Sequence, residues 1–588
     1  MVALWKVAST SLVHDEGLNN VKSSKFLLQT TAAITASALL LAGCSSSDEA
    51  SNSSSSAQSS DKATSASAET GEIAGSDYAP TDYDDVKDGG TLTLATYEVP
   101  EQMNVFHADM TGPTRTLWVN YNPQVALYDE NGEYYPNPEY VTNIKEETVD
   151  GNTVVTFDIN EKATFNDGTP IDWTAWETTW QVNNGTNPNF LVNSTDGYER
   201  IATVARGEND KQAVVTFAGA YPWWKGLFNT IAHPALKDVD NFNSYVKEPH
   251  PEWGAGPFIP ETFDFNTGQV VFVRNDKWWG RPAKLDKKIF RQMESQAALN
   301  AFKNNELDAT SIASKERYAA ISTMPGIEIR TATDPFLELN AKAPQLDDPA
   351  VREAIFRAID RETLSKIRFN GLPYSETPPN SLVLYPFQEG YQDNLTKALG
   401  NDLGPEAASK ILENAGYVKE GDYYAKDGKT LELRYTLFGT DEASRASATA
   451  TQKMLKDAGI NVTIDERPSA EFSDTIKQRD FDILPIAFRG SDPYGVAYFG
   501  QTYKSDSQLN LSGTGTAAFD EKIKELQELP TAEEQIKRAN ELETEAFELW
   551  GLLPFANGAQ IVAVKEGLVN SGAVGFSAPP IEAVGWKK

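Results

Sequence analysis

The sequence holds a single cysteine, Cys44, among its 588 residues, and only four histidines. One cysteine cannot form an intrachain disulfide or a multi-thiolate metal site. The histidines, His14, His107, His233 and His250, are scattered, and none has the His-Glu-x-x-His spacing of a zinc site. We therefore expect no metal site and no cofactor.

Motifs of nucleophilic and nucleotide chemistry are also missing. The chain has no Gly-x-Ser-x-Gly elbow and no Gly-x-x-x-x-Gly-Lys-Ser/Thr loop, and Gly513-Thr514-Gly515 lacks the third glycine of a dinucleotide fingerprint. We expect no catalytic residue and a protein that is not an enzyme. Composition alone leaves a secreted glycoside hydrolase open, because paired carboxylates need no fixed spacing and aromatic residues, at 10%, can stack on sugars.

Basic residues are outnumbered, with 52 Lys and Arg against 84 Asp and Glu and a formal net charge of −32. Binding to nucleic acid requires clustered cations that displace counterions from phosphates, so a nucleic-acid partner is excluded. Hydrophobic residues make up 40% of the chain. At this length the composition predicts two or three cores, and therefore several lobes.

The N-terminus resembles a bacterial lipoprotein signal. Lys22 and Lys25 precede an apolar run at 26–42 that ends in Leu41-Ala42-Gly43-Cys44. The run contains threonine, serine and glutamine, and it is short for a membrane span of about 20 apolar residues. The resemblance implies that residues 1–43 are removed and that Cys44 is acylated, which anchors the protein to the extracytoplasmic face of the cell membrane. Residues 44–88 then form a Ser-rich tether.

Strand and helix patterns alternate from Gly89-Gly90 to the C-terminus. Polar and apolar residues alternate at 91–96, which predicts a half-buried strand, and similar patterns predict strands at 154–159, 213–217, 269–274 and 431–437. Apolar residues at helical spacing predict helices at 172–180, 296–304, 349–366, 405–415, 442–458 and 531–550. Trp173, Trp176 and Trp180 fall on one face of the first of these helices, which indicates core packing.

Four segments, in order, resemble the oligopeptide and dipeptide binders of bacterial solute-binding protein family 5. They are Ala163-Thr164-Phe165-Asn166-Asp167-Gly168-Thr169-Pro170, Trp253-Gly254-Ala255-Gly256-Pro257-Phe258, Asn275-Asp276-Lys277-Trp278-Trp279-Gly280-Arg281-Pro282 and Leu346-Asp347-Asp348-Pro349-Ala350-Val351-Arg352. The Asp-Gly turn in the first is physically sensible, because this dipeptide readily adopts the positive φ of a tight turn.

The resemblance implies an α/β fold: a two-lobed periplasmic-binding-protein-like clamp of type II, in the large peptide-binding class, with an extra N-terminal subdomain. We expect the first lobe at 89–116, 254–329 and 554–588, the inserted subdomain at 117–253, and the second lobe at 330–553. The implied function is capture of an oligopeptide-like solute between the lobes and its delivery to an ABC permease with its ATPase. A monomer is expected.

Candidate ligand-binding residues follow from the same resemblance. In members that recognise an amine, an aspartate four positions before an Asp-Pro proline pairs with the ligand's N-terminus, but here Phe488-Arg489-Gly490-Ser491-Asp492-Pro493 has Arg489 at that position. An arginine would repel an ammonium and favour an anion, whereas a shifted loop would bring Asp492 to the amine. Asp492 would otherwise serve as a turn or cap residue.

Four further residues complete the candidate set. Glu98 and Val99 follow the first strand, and Trp118 and Tyr121 lie near the crossing into the subdomain. Each is a candidate for lining the cleft, with ordinary core packing as the alternative for Trp118. Two other functions stay open for this fold: binding of a non-peptide anion or glycan, and a regulatory role in the envelope without transport. A secreted glycoside hydrolase is less favoured.

Overall fold

The computed structural model describes residues 75–588 apart from 333–335, 340–341, 440–441, 469–470, 487–491, 508 and 559, with the backbone alone at 330–332, 336–339 and 473. The strands are β1 Val86–Lys87, β2 Thr91–Thr96, β3 Ala126–Tyr128, β4 Tyr134–Pro136, β5 Val141–Val149, β6 Asn152–Ile159, β7 Ile201–Arg206, β8 Gln212–Phe217, β9 Phe258–Asp264, β10 Gln269–Arg274, β11 Lys287–Gln292, β12 Ala309–Ser311, β13 Ile327–Ala332, β14 Phe336–Leu339, β15 Val418–Glu420, β16 Tyr423–Lys426, β17 Lys429–Thr430, β18 Glu432–Phe438, β19 Asn461–Arg467, β20 Ile483–Ile486, β21 Leu552–Pro554, β22 Gln560–Lys565, β23 Leu568–Val569 and β24 Gly585–Lys587. The helices are α1 Gly112–Tyr121, α2 Trp173–Asn183, α3 Val239–Asn243, α4 Ser295–Lys303, α5 Lys315–Ile321, α6 Pro349–Ala358, α7 Arg361–Arg368, α8 Asn394–Leu399, α9 Pro405–Asn414, α10 Glu442–Asp457, α11 Phe472–Gln478, α12 Phe499–Tyr503, α13 Ala517–Gln527 and α14 Ala532–Phe547.

Three larger sheets organise the described chain. A seven-stranded sheet has the order β13-β22-β12-β2-β11-β10-β9, a five-stranded sheet the order β19-β18-β20-β14-β21, and a four-stranded sheet the order β5-β6-β8-β7. We call the parts of the chain built on them the first lobe, the second lobe and the insert, respectively. The fold is therefore the two-lobed α/β architecture that the sequence predicts, although the residue limits assigned to each lobe stay a prediction.

Parallel strands lie at the centre of both lobes. In the first lobe β2 is parallel to β11 and β12, and in the second lobe β18 is parallel to β19 and β20. The insert is wholly antiparallel. Loops that carry function in such sheets lie beyond the carboxyl ends of the parallel strands, so those ends indicate where to look for a site.

The insert shows how the sequence pattern builds its core. Along β6 buried and half-buried side chains alternate, because successive residues of a strand point to opposite faces. Phe157 from this strand packs against Trp176 of α2, with ring centroids 5.6 Å apart. Trp173 and Trp180 are half-buried against the same cluster, so the prediction of a core-facing tryptophan stripe is confirmed.

Two expectations about local structure are wrong. The chain is folded before Gly89, because Tyr78 and Val86 are buried and β1 pairs with β24, so the predicted tether is too long. The predicted helix at 349–366 is two helices, since Ile359 is extended and the Asp360 carboxylate accepts the Thr363 N–H at 3.1 Å as the cap of α7.

Two of the expected lobe limits also cut through elements. β13 continues to Ala332, past the expected end of the first lobe at 329, and stays in the seven-stranded sheet. α1 runs across the expected boundary between 116 and 117, yet Leu117 and Tyr121 pack in the first lobe's core with Leu92. The insert therefore begins after this helix. None of the described helices is long and apolar enough to cross a membrane.

A buried lysine in the first lobe bears on stability. Lys288 on β11 is 4% exposed, and its Nζ donates to Asn120 Oδ1 at 3.0 Å. Burial lowers its pKa from 10.5 to about 7, with a weak opposing effect of the Glu582 carboxylate. The folded state therefore disfavours the charged amine, and stability falls as the pH is lowered from about 10 to about 7.

We predict that Lys288→Met removes this loss of stability at lower pH. The unfolding free energy of the variant relative to the parent should grow by up to about 1.4 kcal/mol for each pH unit from pH 10 down to pH 7. Urea unfolding at four pH values measures it. Lys287→Met is the matched control, because Lys287 is on the same strand but pairs with Glu261 at a partly exposed site. A pH-independent difference for Lys288→Met would contradict the prediction.

Candidate functional site: the crevice between the lobes

The segments that follow the carboxyl ends of β2 and β20 lead to Arg115 and Asp492, which interact between the two lobes, and we call the space beside them the crevice. β2 ends at Thr96 and is followed by Tyr97 and Glu98, and β20 ends at Ile486 on the segment that leads to Asp492. Ligands in open α/β sheets bind outside such strand ends. The loops after β2 and β20 are therefore the first places where the two lobes can hold a ligand between them.

Asp492 is a buried carboxylate held by its own turn. It is 5% exposed, and its Oδ1 accepts the Tyr494 backbone N–H at 2.9 Å. Its Oδ2 accepts the Tyr498 hydroxyl at 2.6 Å. The interpretation of Asp492 as a turn residue before Pro493 therefore matches its local contacts. The negative charge of Asp492, however, also interacts with a residue of the first lobe.

Arg115 brings a positive charge to this carboxylate from the first lobe. It lies on α1, which begins at a capping box between Thr111 and Thr114. Burial lowers the pKa of the Arg115 guanidinium, and the charge of the Asp492 carboxylate opposes this effect. A half-buried cation of the first lobe and a buried anion of the second thus interact in a site that is partly removed from water, where electrostatic interactions are stronger.

Aromatic side chains flank the charged pair. The Tyr494 ring lies between Tyr128 and Trp223 of the insert, with centroid separations of 6.4 and 6.1 Å. The Tyr128 hydroxyl donates to the Lys225 carbonyl at 2.9 Å. A methyl group placed on Gly226 would lie 3.8 Å from Asp492 Oδ2, so the insert approaches the carboxylate closely. The wall is amphipathic, which suits a ligand with both polar and apolar parts.

The residues expected after the first strand differ in their surroundings. Glu98 is half-buried, and its Oε1 is buried with no hydrogen-bond partner among the described residues. Val99 is 8% exposed and packs in the first lobe's core. Unsatisfied buried carboxylate oxygens are costly. Glu98 thus stays a candidate ligand-binding residue. The Val99 side chain is packed in the core, so only its backbone could contact a ligand.

Trp118 and Tyr121 are core residues, which corrects the expectation that they line the cleft. The Tyr121 side chain is fully buried and stacks on Phe272, with centroids 5.9 Å apart. Trp118 is 3% exposed, and its Nε1 donates to Thr230 Oγ1 at 3.2 Å. Both face the packed side of α1, because their positions on the helix place them on the side opposite solvent.

Phe488, Arg489 and Gly490 lie outside the described residues, so their expected role stays a prediction. Arg115 and Tyr498 of the crevice, and Trp223 beside it, were not singled out from the sequence. Arg115 and Trp223 lie far from the Asp-Pro turn along the chain, and only the fold brings them to it. Tyr498 had a weak signal, because it lies only five residues beyond that proline.

The chain that returns from β21 to β22 is held by a carboxylate. Glu376 Oε1 accepts the backbone N–H groups of Asn557 and Gly558, and its Oε2 accepts the Tyr374 hydroxyl at 3.1 Å. Tyr374 packs against apolar clusters of both lobes. Burial raises the pKa of Glu376 from 4.5 to about 7, against the lowering effect of these hydrogen bonds.

Arg361 holds the start of the same crossing. Its Nη1 donates to the Pro554 carbonyl at 3.1 Å and to the Pro379 carbonyl at 2.9 Å. The segment 372–380 is thus attached to the crossing at both ends. Within the described ranges, no group of three or more His, Cys, Asp or Glu side chains is arranged to hold a metal.

Comparison with known proteins places these features in context. The family model for bacterial extracellular solute-binding proteins, family 5 (middle region), matches residues 135–510. The oligopeptide-binding protein OppA of Mycobacterium tuberculosis (strain H37Rv) is 32% identical over 518 residues, which cover 86% of this chain and 86% of OppA.

Solved structures with the same fold include a periplasmic EDTA-binding protein, EppA. It matches with a TM-score of 0.79 and 25% identity, over 88% of this chain and 100% of EppA. The oligopeptide-binding protein AppA of Bacillus subtilis, in complex with a nonapeptide, matches with a TM-score of 0.67 and 16% identity over 86% of this chain and 100% of AppA.

Two α/β lobes, an insert and a charged crevice at the strand ends define a periplasmic-binding-protein-like clamp. Relatives of this class include proteins named for oligopeptides and for a chelator. The chain belongs to family 5 of the bacterial extracellular solute-binding proteins. The predicted fold class and family are confirmed.

We predict that Glu376→Gln changes the pH dependence of stability. Because its pKa is raised in the folded state, the parent keeps its full stability below about pH 4.5 and loses part of it as the pH rises through about 7. The variant should be more stable than the parent by about 2 to 3 kcal/mol at pH 8 and similar at pH 4.5.

Thermal and urea unfolding at both pH values measure this difference. Glu389→Gln, at an exposed position of the same lobe, is the control and should leave both values unchanged. Equal stability of Glu376→Gln and the parent at pH 8 would contradict the prediction.

Proposed function

We propose that this protein is the lipid-anchored substrate-binding component of an ABC importer that captures oligopeptide-like solutes between its lobes. The closed clamp then presents its ligand to a membrane permease driven by a separate ATPase. The observation that carries the proposal is the pair of opposite charges, half-buried Arg115 and buried Asp492, which interact across the crevice from its two sides.

A short peptide matches this pair chemically. Its N-terminal ammonium and C-terminal carboxylate are the counterparts of Asp492 and Arg115, and charge-assisted hydrogen bonds to such groups are stronger than neutral ones. Before ligand enters, the two residues satisfy each other's charge, which limits the cost of burying them. A zwitterionic ligand exchanges that one interaction for two.

The relatives support the oligopeptide class. OppA of M. tuberculosis, named as oligopeptide-binding, aligns over most of both chains. The family's extracellular placement agrees with the lipoprotein-like signal that ends at Cys44. Residues 1–74 lie outside the described part of the chain, so the anchor rests on the sequence alone. We propose acylation at Cys44 and a tether from there to about residue 74.

A non-peptide anion is the second candidate ligand. The observation that favours it is the Arg115 cation, since a guanidinium can donate two parallel hydrogen bonds to one carboxylate, and Asp492 is held by Tyr494 and Tyr498. EppA, which is named for EDTA, shares the fold at a TM-score of 0.79. In this case the ligand carries several carboxylates and no free amine.

Native mass spectrometry of the detergent-solubilised chain, purified without refolding, tests the proposal. We expect a ladder of masses that correspond to short peptides. A single polyanionic species would favour the second candidate, and an empty crevice in protein from peptide-rich and peptide-poor media would contradict both.

Variants of the two charges separate the candidates. For a free-amine tripeptide such as trialanine, Asp492→Asn and Arg115→Met should each weaken binding at least about tenfold, the energy of one charge-assisted bond. For a polyanion only Arg115→Met should do so. Asp360→Asn is the matched control, because the Asp360 carboxylate also accepts a backbone N–H close to it in the chain but lies at the start of α7. Calorimetry measures the affinities, and unchanged binding in both variants would contradict the assignment of the crevice.

A further inference from the structure

A tryptophan of the insert is buried in the second lobe. Trp223 lies in the loop after β8 and is 8% exposed, yet it belongs to the apolar cluster that contains Val383, Leu384 and Val496. Among the described residues, it is the one buried member of this cluster that comes from outside the second lobe. The insert thus places a large side chain into its neighbour's core.

The indole is bonded there as well as packed. Trp223 Nε1 donates to Gln535 Oε1 at 2.7 Å, and Gln535 Nε2 donates to the Leu529 carbonyl at 2.7 Å. Gln535 is 2% exposed on α14. A buried indole N–H without an acceptor costs free energy, so this pairing makes the docked arrangement specific as well as apolar.

The neighbouring tryptophan provides a contrast. Trp224 is 4% exposed but packs in the insert's own cluster, and its Nε1 has no hydrogen-bond partner among the described residues. The two adjacent tryptophans therefore pack in different parts of the protein. One stabilises the insert, and the other joins the insert to the second lobe.

Further contacts extend this joint. Gln501 Nε2 of the second lobe donates to Asp196 Oδ2 of the insert. Tyr221 is half-buried and packs against clusters on both sides. The docking face of the insert therefore consists of Asp196, Tyr221, Trp223 and Gly226, and it meets the second lobe at the edge of the crevice.

The insert is at the same time attached to the first lobe. The Tyr140 hydroxyl donates to the Ala255 carbonyl at 2.7 Å, and Asn275 Nδ2 donates to Asn166 Oδ1 at 2.9 Å. If the insert moves with the first lobe, opening the crevice must withdraw the indole from the second lobe and leave Gln535 Oε1 unpaired. The docked tryptophan is then a contact of the closed state alone.

We propose that Trp223 is a positioning residue for ligand capture, which stabilises the closed clamp through the second lobe's core and Gln535 without contacting the ligand. The inference rests on the proposed clamp function but not on the identity of the ligand. It predicts that the ratio of closed to open molecules depends on Trp223 even when no solute is present.

Pulsed electron paramagnetic resonance on ligand-free protein tests this. Cys44→Ser removes the single cysteine, and spin labels at Val149→Cys and Val418→Cys, both exposed, report the distance between the insert and the second lobe. A second pair, Val149→Cys with Lys303→Cys, reports the distance between the insert and the first lobe. Lys303 is exposed at the end of α4.

We expect Trp223→Ala to lower the closed-to-open ratio at least about tenfold, as loss of a buried indole implies. Trp223→Phe and Gln535→Met, which remove the hydrogen bond but keep most of the apolar volume, should lower it about fivefold. Trp224→Phe is the matched control and should leave the distances unchanged. The distance between the insert and the first lobe should stay constant throughout.

Two results would overturn the proposal. Unchanged distances between the insert and the second lobe in Trp223→Phe and Gln535→Met would show that the contact does not set closure. A change confined to the pair on the insert and the first lobe would show that the insert moves with the second lobe instead. Because no ligand is added, failure of the peptide proposal leaves this test intact.

Discussion

The interaction between Arg115 and Asp492 constrains the rest of the crevice. Asp492 is buried and Arg115 is half-buried, and the two charges come from different lobes, so each stabilises the other only while the lobes are close. Burial in a low-dielectric site strengthens such an interaction. Separating the lobes therefore weakens it unless a ligand supplies a counter-charge. In the proposed mechanism this interaction links closure to the chemistry of the ligand.

The remaining contacts around the crevice either orient Asp492 or hold the chain that crosses between the lobes. Asp492 is oriented by its own turn through Tyr494 and Tyr498, so a ligand does not have to order it. Arg361 and Glu376 fix the crossing between the lobes at a distance from the charges. In the proposed mechanism, closure brings together surfaces that are already ordered, so most of the ordering cost is met during folding rather than during binding.

Much of the fold could be predicted from the sequence, because local patterns determine it. The alternation at 91–96 corresponds to β2 and the run at 269–274 to β10 without adjustment. The helix at 349–366 was predicted without its break, since Asp360 is a good cap as well as an acceptable helical residue, and only the extended Ile359 decides between the two. The start of the folded chain was missed because β1 pairs with β24 at the far end of the sequence.

The candidate site was less predictable from the sequence, because it also depends on contacts between residues that are far apart in the chain. Arg115 and Asp492 are separated by hundreds of residues, and nothing in the local pattern of α1 distinguishes Arg115 from any solvated arginine of an amphipathic helix. Trp118 and Tyr121, which do stand out in the sequence, are large and apolar, and the helix turns them into the core. Residue type favoured the aromatic candidates, whereas position in the fold favoured the charged one.

The tryptophans of the insert extend this argument to closure. Trp223 and Trp224 are adjacent and chemically identical, yet one is buried in the second lobe and the other in the insert. They lie at the start of a single short 3-10 turn, which is too short to show a helical or strand periodicity. The course of the chain after β8 therefore determines which apolar cluster each side chain joins. The two proposals therefore place specificity for a ligand and preference for the closed state at separate positions, and a change at one position need not alter the other.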